Sequence, residues 1–327
     1  MIISRTPFRI SFGGGGSDLP DFYMQEQGAV VSTTIDKYIY LAIHRYFDPQ
    51  KIQLKYSQTE LVNNVSEISH PIFKSCLSMY QVNGIDINSI ADIPAGTGLG
   101  SSSSFTVGLI HVIKAYLQQY VSQEYLAATA CAIEIEQLKE PIGKQDQYAA
   151  AYGGLNLIRF NCDGSVEVEK IIMQSKTKQQ LEKNLIMIYT GDIRSASAIL
   201  QNQSEAIRKA DKRQTMRTMV QQAFEFKNLL QDNRIDDFGR LLHEGWMLKK
   251  TLTAGISTSL VDDLYQKGLK AGALGGKLLG AGGGGFILFY CPEEKQALFR
   301  REMSHYRELI FKFDNQGSKI IYLTEQE

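Results

Sequence analysis

The stretch Pro94-Ala95-Gly96-Thr97-Gly98-Leu99-Gly100-Ser101-Ser102-Ser103-Ser104 runs directly into the apolar segment Phe105 to Tyr120. Three alternate glycines remove side chains and permit positive φ, so backbone N–H groups can gather around one anion. A helix starting at the serines would aim its unpaired amides and the positive end of its dipole at the same point. The serine hydroxyls can donate to phosphate oxygens or complete the shell of a magnesium ion. Loop, helix and hydroxyls therefore predict a cradle for a nucleotide triphosphate, formed by Pro94, Gly96, Thr97, Gly98, Leu99, Gly100, Ser101, Ser102 and Ser103. A flexible Gly/Ser linker fits less well, because the segment begins with proline and lies between ordered-looking elements. Two other nucleotide fingerprints are absent. The Gly-Lys pairs at 143–144 and 276–277 are followed by Gln145 and Leu278, which is not GxxxxGK[ST], and Gly96, Gly98 and Gly100 do not have GxGxxG spacing.

Glycine punctuates the chain twice more, at Gly13 to Gly16 and at Gly282 to Gly285. The first run follows a strand-like start containing Ile2, Ile3, Phe8, Ile10 and Phe12. The second precedes an apolar strand, Phe286 to Tyr290, and suggests close backbone approach to the nucleotide loop or to the substrate. Between them, Ala29 to Tyr46 alternates as one or two strands, while Glu60 to Val82 and Glu124 to Lys139 carry helical spacing. Asp163-Gly164 marks a hairpin joining Leu155–Phe160 to Val166–Ile172. Further helices are expected over residues 195–232, 235–252 and 259–271. Strands and helices mix without strict βαβ alternation, which favours an α+β class over a doubly wound sheet. A chain of 327 residues is about twice a typical domain. Two domains sharing an active-site cleft are expected, and the lysine-rich segment Gln174 to Lys183 places the boundary between residues 1–178 and 179–327.

Composition narrows the function. Lys plus Arg equals Asp plus Glu at 35 each, which argues against a polyanion-coating protein and hence against nucleic acid as partner. The four cysteines show no CxxC spacing and the five histidines are scattered without an HExxH pair, so a zinc site or Ser-His-Asp triad has little support. No apolar run approaches the roughly 20 residues that span a bilayer, and the N-terminus has no signal-peptide pattern. A cytoplasmic address without a membrane partner is the expectation.

With its Pro-x3-Gly-Leu-Gly-Ser-Ser pattern, the loop at Pro94 to Ser104 resembles the second motif of the GHMP kinases. Pro7-Phe8-Arg9 through Ser17-Asp18 resembles the first motif, and Lys277-Leu278-Leu279-Gly280-Ala281 with the following glycines resembles the third. The resemblance implies the two-domain GHMP kinase fold, ATP and Mg²⁺. Within the family, Phe8 to Tyr23, Gly143 to Tyr148, Tyr189 to Ser197 and Leu242 to Trp246 resemble the heptose 7-phosphate kinases. That branch implies a sugar 1-kinase acting on D-glycero-D-manno-heptose 7-phosphate to give the 1,7-bisphosphate, for nucleotide-activated heptose synthesis. Much of the pattern is shared with L-fucokinases, so a fucose or related hexose 1-kinase is the alternative. A non-catalytic nucleotide and sugar sensor is the alternative of another class. The partners implied are ATP and a small sugar phosphate, with a homodimer as a further possibility.

The resemblance assigns roles to single residues. Asp146 would lie beside the acceptor hydroxyl as a base or an orienting charge. Arg9 would sit next to it and steady charge on the acceptor oxygen. Glu134, seven residues before Pro141, would hold Mg²⁺ together with Ser102, while Glu136 would face another side of the same helix. Gly13, Gly14, Gly15, Gly16, Ser17 and Asp18 would receive the sugar; Asp18 reads equally well as a helix cap. Lys144, Gly191, Arg194, Gly283 and Gly284 complete the expected substrate set, with Lys144, Arg194 and Arg159 as candidates for a distal phosphate. Galactokinases carry an acid and a histidine where this chain has Gly15 and Gly16, a change that opens room for an anionic sugar. Trp246 and its neighbours read as core.

Overall fold

The computed structural model describes residues 1–191 and 196–324. In chain order, β1 (Ile2–Gly13), α1 (Pro20–Tyr23), β2 (Gly28–Arg45), β3 (Ile52–Lys55), β4 (Thr59–Val62), α2 (Pro71–Tyr80) and β5 (Ile85–Ala91) lead to the glycine loop. The loop feeds α3 (Ser101–Tyr116), followed by α4 (Gln123–Cys131), α5 (Gln145–Tyr152), β6 (Leu155–Phe160), β7 (Val166–Lys170) and α6 (Ser175–Asn184). Then come β8 (Leu185–Tyr189), α7 (Ala196–Ile207), α8 (Ala210–Gln231), α9 (Ile235–Lys250) and α10 (Ser259–Lys270). The chain closes with β9 (Gly275–Leu278), β10 (Phe286–Tyr290), α11 (Gln296–Glu302), β11 (Glu308–Leu309), β12 (Phe313–Asp314) and β13 (Lys319–Leu323).

Two sheets organise these elements. The larger has nine strands, with the path β13-β1-β2-β5-β3-β4 and with β6, β7 and β12 joined through β2. The long β2 is its hub. It pairs with β1 along one edge, and on the other its first half pairs with β6 and its second half with β5. The smaller sheet has four strands in the order β11-β8-β10-β9. Mixed sheets with packed helices match the α+β expectation.

The glycine loop is placed by α3, which packs on β1 and β2 and buries most of its first three turns. Gly108 allows the close approach, since a Cβ there would stand 2.7 Å from the Thr6 hydroxyl. The neighbouring Ser4 hydroxyl donates to the Gly108 carbonyl at 2.9 Å.

Three local expectations differ from what forms. Within Glu60 to Val82, α-helix occupies Pro71–Tyr80, Val65–Glu67 is a short 3-10 turn and Thr59–Val62 is a strand. Proline lacks the N–H a preceding turn would need, so it sits at the first helical position behind an extended His70. The expected helix from Glu124 changes at Ala132 into a π-helical turn ending at Gln137. The presumed junction Gln174 to Lys183 is itself helical, with Thr177, Leu181 and Asn184 buried along one face. A boundary at residue 178 thus falls inside α6, and β12 and β13 return to the larger sheet.

Two apolar clusters fill the molecule, one on the larger sheet and α3, the other between the smaller sheet and α10 and α11. Helices α8 and α9 contribute to both. Phe226 of α8 and Phe238 of α9 meet edge to face at 4.9 Å, and Phe238 meets Phe12 of β1 at 5.0 Å. Trp246 is buried in the second cluster, as its apolar neighbours implied. Because Phe226 is fully enclosed against Gly13, Phe226→Ala is expected to lower unfolding stability by about 3–5 kcal/mol. Chemical denaturation checks this, and a loss below about 1 kcal/mol would mean the two halves are joined elsewhere.

Candidate active site

Residues 94–100 and 279–285 meet backbone to backbone. A Cβ on Gly98 (φ +85°) would lie 2.4 Å from the Leu279 carbonyl oxygen, and one on Gly280 (φ +78°) 2.6 Å from the Gly98 Cα. Only glycine meets both demands, left-handed backbone and no side chain. Gly285 of the Gly282–Gly285 run also meets the loop, a Cβ there standing 2.4 Å from the Thr97 carbonyl oxygen, which is one of the two options its sequence left open.

A cavity of about 330 Å³ lies beside this contact. Its wall includes Gly96, Gly98, Gly100, Ser101, Ser102 and Ser103 of the loop and of the first turn of α3. Gly100 caps α3 in the left-handed region and supplies no side-chain cap. The first amides of a 16-residue helix are therefore left for another acceptor, at the positive end of its dipole. Pro94, Thr97 and Leu99 shape the loop from behind: Leu99 is fully buried, and the Thr97 hydroxyl donates to the Pro94 carbonyl at 3.1 Å.

Arg9 and Asp146 form the centre of the wall. The guanidinium donates from Nε to Oδ1 at 2.7 Å and from Nη2 to Oδ2 at 2.6 Å, a two-point clamp. Its remaining Nη1 donates to the Gly98 carbonyl at 2.7 Å, and the Arg9 amide donates to Leu99 O. The arginine side chain is 6% exposed and the aspartate 22%, so the carboxylate is the partner that opens to the cavity. Strand β1, the glycine loop and α5 are thereby held in one register.

The Ser102 hydroxyl donates to Glu134 Oε1 at 2.6 Å, and Gln147 Nε2 donates to Oε2 at 2.7 Å. Glu134 is fully buried on the π-helical turn, whereas Glu136 is exposed. Burial pushes the Glu134 carboxyl above its ordinary range, against the pull of its hydrogen bonds from Ser102 and Gln147. A hydroxyl and a carboxylate side by side form a hard oxygen pair that suits Mg²⁺. Among the described residues no group of three or more His, Cys, Asp or Glu side chains is placed to hold a metal.

Asp18 does not cap α1, whose N-terminus has Leu19 at the cap and no side-chain bond. Its carboxylate instead accepts from the Gly16 amide (2.8 Å), the Gln145 amide (3.2 Å) and Gln145 Nε2 (3.0 Å). Burial raises its carboxyl pKa, opposed by these bonds. Gly143 packs so tightly on this carboxylate that a Cβ would stand 2.0 Å from Oδ2. Asp18, Gly15, Gly16 and Gly284 all reach the wall.

Other expected residues lie behind it. Gly13 faces the Phe226 ring, and Gly14 the Ala29 carbonyl. The Ser17 hydroxyl clasps Ala29, donating to its oxygen and accepting from its amide. The Lys144 ammonium turns away to the Gly164 carbonyl at 2.6 Å and lies over the Tyr23 ring. Arg159 is paired with Glu167 and Glu169 across the β6–β7 hairpin. Gly283 donates its amide to Ile256 O, and Gly191 is exposed, with no atom of the described residues within 4 Å of where a Cβ would stand. Arg194 lies outside the described residues.

Several wall residues carried no expectation: Ser11, Gln145, Gln203, Lys249 and Lys277. Ser11 Oγ, Gln145 Oε1 and Gln203 Nε2 are buried polar atoms without a hydrogen-bond partner among the described residues. Such atoms usually meet water or a ligand. Ser11 and Gln145 lie inside motif segments that gave them no role, Gln203 lies in none, and β1, α5 and α7 bring the three together only by folding.

Comparison with known proteins agrees on one family. The model for the GHMP kinases N terminal domain matches residues 70–154, and that for the GHMP kinases C terminal matches residues 226–308. The chain is 27% identical to the D-glycero-alpha-D-manno-heptose 7-phosphate kinase of Campylobacter jejuni, over 97% of this chain and 98% of that one. It is 25% identical to the L-fucokinase/L-fucose-1-P guanylyltransferase of Bacteroides fragilis, over 93% of this chain and 36% of that protein. A crystal structure of a D-glycero-D-manno-heptose 1-phosphate kinase from Bacteroides thetaiotaomicron superposes with a TM-score of 0.81. The identity there is 24%, with 99% of this chain and all of the other covered, and it speaks for the fold.

Gly98→Ala is expected to cost about 1–3 kcal/mol of stability through its left-handed backbone and the clash with Leu279, and to weaken nucleotide binding. Thermal unfolding and calorimetric titration with a non-hydrolysable ATP analogue check both. Unchanged affinity would mean that the contact between the loops does not shape the cradle.

Proposed function

Because the chain belongs to the GHMP kinases and is a phosphotransferase with an alcohol group as acceptor, we propose that its cavity transfers the γ-phosphoryl group of ATP to the anomeric hydroxyl of D-glycero-D-manno-heptose 7-phosphate. The product would be the 1,7-bisphosphate. The observation that carries this reading is similarity to the C. jejuni heptose 7-phosphate kinase along nearly the full length of both chains. The wall supports it, since Gly15 and Gly16 bring no acid to the sugar side.

In this reading the amides of Gly96 to Ser103 and the uncapped end of α3 receive the nucleotide phosphates. Asp146 accepts a hydrogen bond from the sugar hydroxyl and aims it at the γ-phosphorus, while Arg9 fixes the carboxylate by its two-point clamp. Ser102 and Glu134 would hold Mg²⁺, which neutralises charge between the β- and γ-phosphates when bound. Asp18, locked by Gln145 and Gly16, offers its remaining lone pairs to sugar hydroxyls. The protein would work in the cytoplasm, where ATP and sugar phosphates are available.

A second reading follows from the similarity to L-fucokinases, at 24–25% identity over 93–94% of this chain. It makes the acceptor an unphosphorylated hexose.

Coupled ADP release separates the two. Turnover is expected on heptose 7-phosphate, with phosphorus NMR placing the new group on C1; turnover only on a sugar lacking the terminal phosphate would replace the heptose assignment. Asp146→Asn is expected to lower kcat by about 10²–10⁴-fold with little change in nucleotide affinity. Full activity in that variant would remove Asp146 from the chemistry. Glu134→Gln is expected to raise the magnesium concentration that gives half-maximal rate.

A further inference from the structure

Lys249 stands on the last turn of α9, and its side chain is buried at the cavity wall. Its ammonium donates one hydrogen bond, to the Gly280 carbonyl at 2.5 Å. That uses one of three N–H groups. Among the described residues no carboxylate oxygen lies within 4.0 Å of it. A cation taken out of water without a counter-ion is costly, and the usual compensation is an anion that arrives with the ligand. Lys277, on β9, is in the same condition, buried and donating to the Phe12 carbonyl at 3.2 Å.

The position of Lys249 narrows which anion it meets. Gly280, whose carbonyl it holds, packs on Gly98. The Gly98 carbonyl in turn accepts from Arg9, whose other two bonds go to Asp146. Phosphate loop, Arg9, Asp146 and Lys249 thus converge within a few residues of backbone. Arg9 already has its charge met by Asp146, which leaves Lys249 and Lys277, among the described wall residues, as cations with donors to spare; of the two, Lys249 is the one tied through Gly280 to the phosphate loop. A phosphate at the far end of a seven-carbon sugar would lie away from the point where Asp146 meets the acceptor hydroxyl.

We propose that Lys249 is a further catalytic residue, whose ammonium contacts the transferring phosphoryl group and offsets the charge on its oxygens. This rests on the kinase reading above but not on the identity of the sugar. In the step itself the acceptor oxygen bonds to the γ-phosphorus and the bond from that phosphorus to the bridging oxygen of ADP breaks. ADP leaves with the electron pair and the acceptor proton passes to Asp146 or to solvent; Lys249 keeps its protons throughout. Fixed positive charge of this kind acts most strongly in a site closed to water.

The charged groups facing Lys249 are Arg9 from β1, Asp18 from the loop after β1, Asp146 from α5 and Lys277 from β9. Burial, and next the Arg9 charge, hold its pKa down to about 8. The protonated form is the one that can meet phosphate, so kcat/KM, which reports the free enzyme, falls as pH rises through about 8. Lys249→Arg is expected to move that limb to higher pH. Lys249→Met is expected to lower kcat by about 10²-fold or more, with KM for ATP and for the sugar changed only slightly. These measurements use whichever acceptor the wild type turns over, so a wrong sugar shows as absent wild-type turnover on heptose 7-phosphate and a wrong role as an unaffected variant. The proposal is overturned by a folded Lys249→Met enzyme with wild-type kcat. It is also overturned if that variant raises KM for the sugar phosphate alone, which would assign the ammonium to the acceptor's own phosphate. Should the methionine variant fail to fold, the wild-type profile decides, and a flat kcat/KM to well above pH 8 sinks the idea.

Discussion

Two loops about 180 residues apart in the chain touch through bare backbone, and the cavity depends on that contact. Gly98 lies on the Leu279 carbonyl, Gly280 on Gly98, and Gly285 on the Thr97 carbonyl. Any side chain at these points would drive the loops apart, and with them α3 and the smaller sheet. Arg9 fastens one loop from inside through the Gly98 and Leu99 carbonyls, and Lys249 fastens the other through Gly280. Each such bond contributes about 1–3 kcal/mol net, the upper part of that range for the charged donors. Their effect is geometric, holding donors where an incoming phosphate needs no further reorganisation.

The electrostatics of the wall follow from which charges are already met. Arg9 and Asp146 satisfy each other, and Asp18 is wrapped by two amides and a glutamine. Glu134 is buried with only neutral donors, and Lys249 and Lys277 with only carbonyls. Among the described residues the acid has no cation and the ammoniums no anion beside them, next to an uncapped helix end, an arrangement that suits an anionic ligand. The protein carries the cost of desolvating these groups in advance, which is the usual condition of a binding site and seldom that of a structural core.

The joint between the halves is aromatic as well as glycine-rich. Phe12, Phe226 and Phe238 pack together where α8 and α9 meet β1, and the strands β12 and β13 return to the first sheet. The cavity walls are therefore supported by two apolar clusters that α8 and α9 join. Helix α9 carries this through, with Phe238 in one cluster, Trp246 in the other and Lys249 at the cavity.

Glycine spacing was legible in the chain because its cause is local: left-handed φ and absent side chains leave a mark that no other residue imitates. The serine-headed helix, the α+β class and the pairing of Arg9 with Asp146 and of Ser102 with Glu134 could be anticipated from the motifs alone. Tertiary structure decided the rest. Lys144 carries the right charge beside Asp146, yet one step along the start of α5 turns it toward Gly164 and away from the cavity. Lys249 reads in the chain as one more lysine on an amphipathic helix, with Lys250 beside it paired to Asp262 on the surface. Only the crossing of α9 over β9 and the fold of the 279–285 loop bury one ammonium and leave its neighbour in water. A charge records in sequence what it can bind; burial and the distance to other charges, which set what it does bind, exist only in three dimensions.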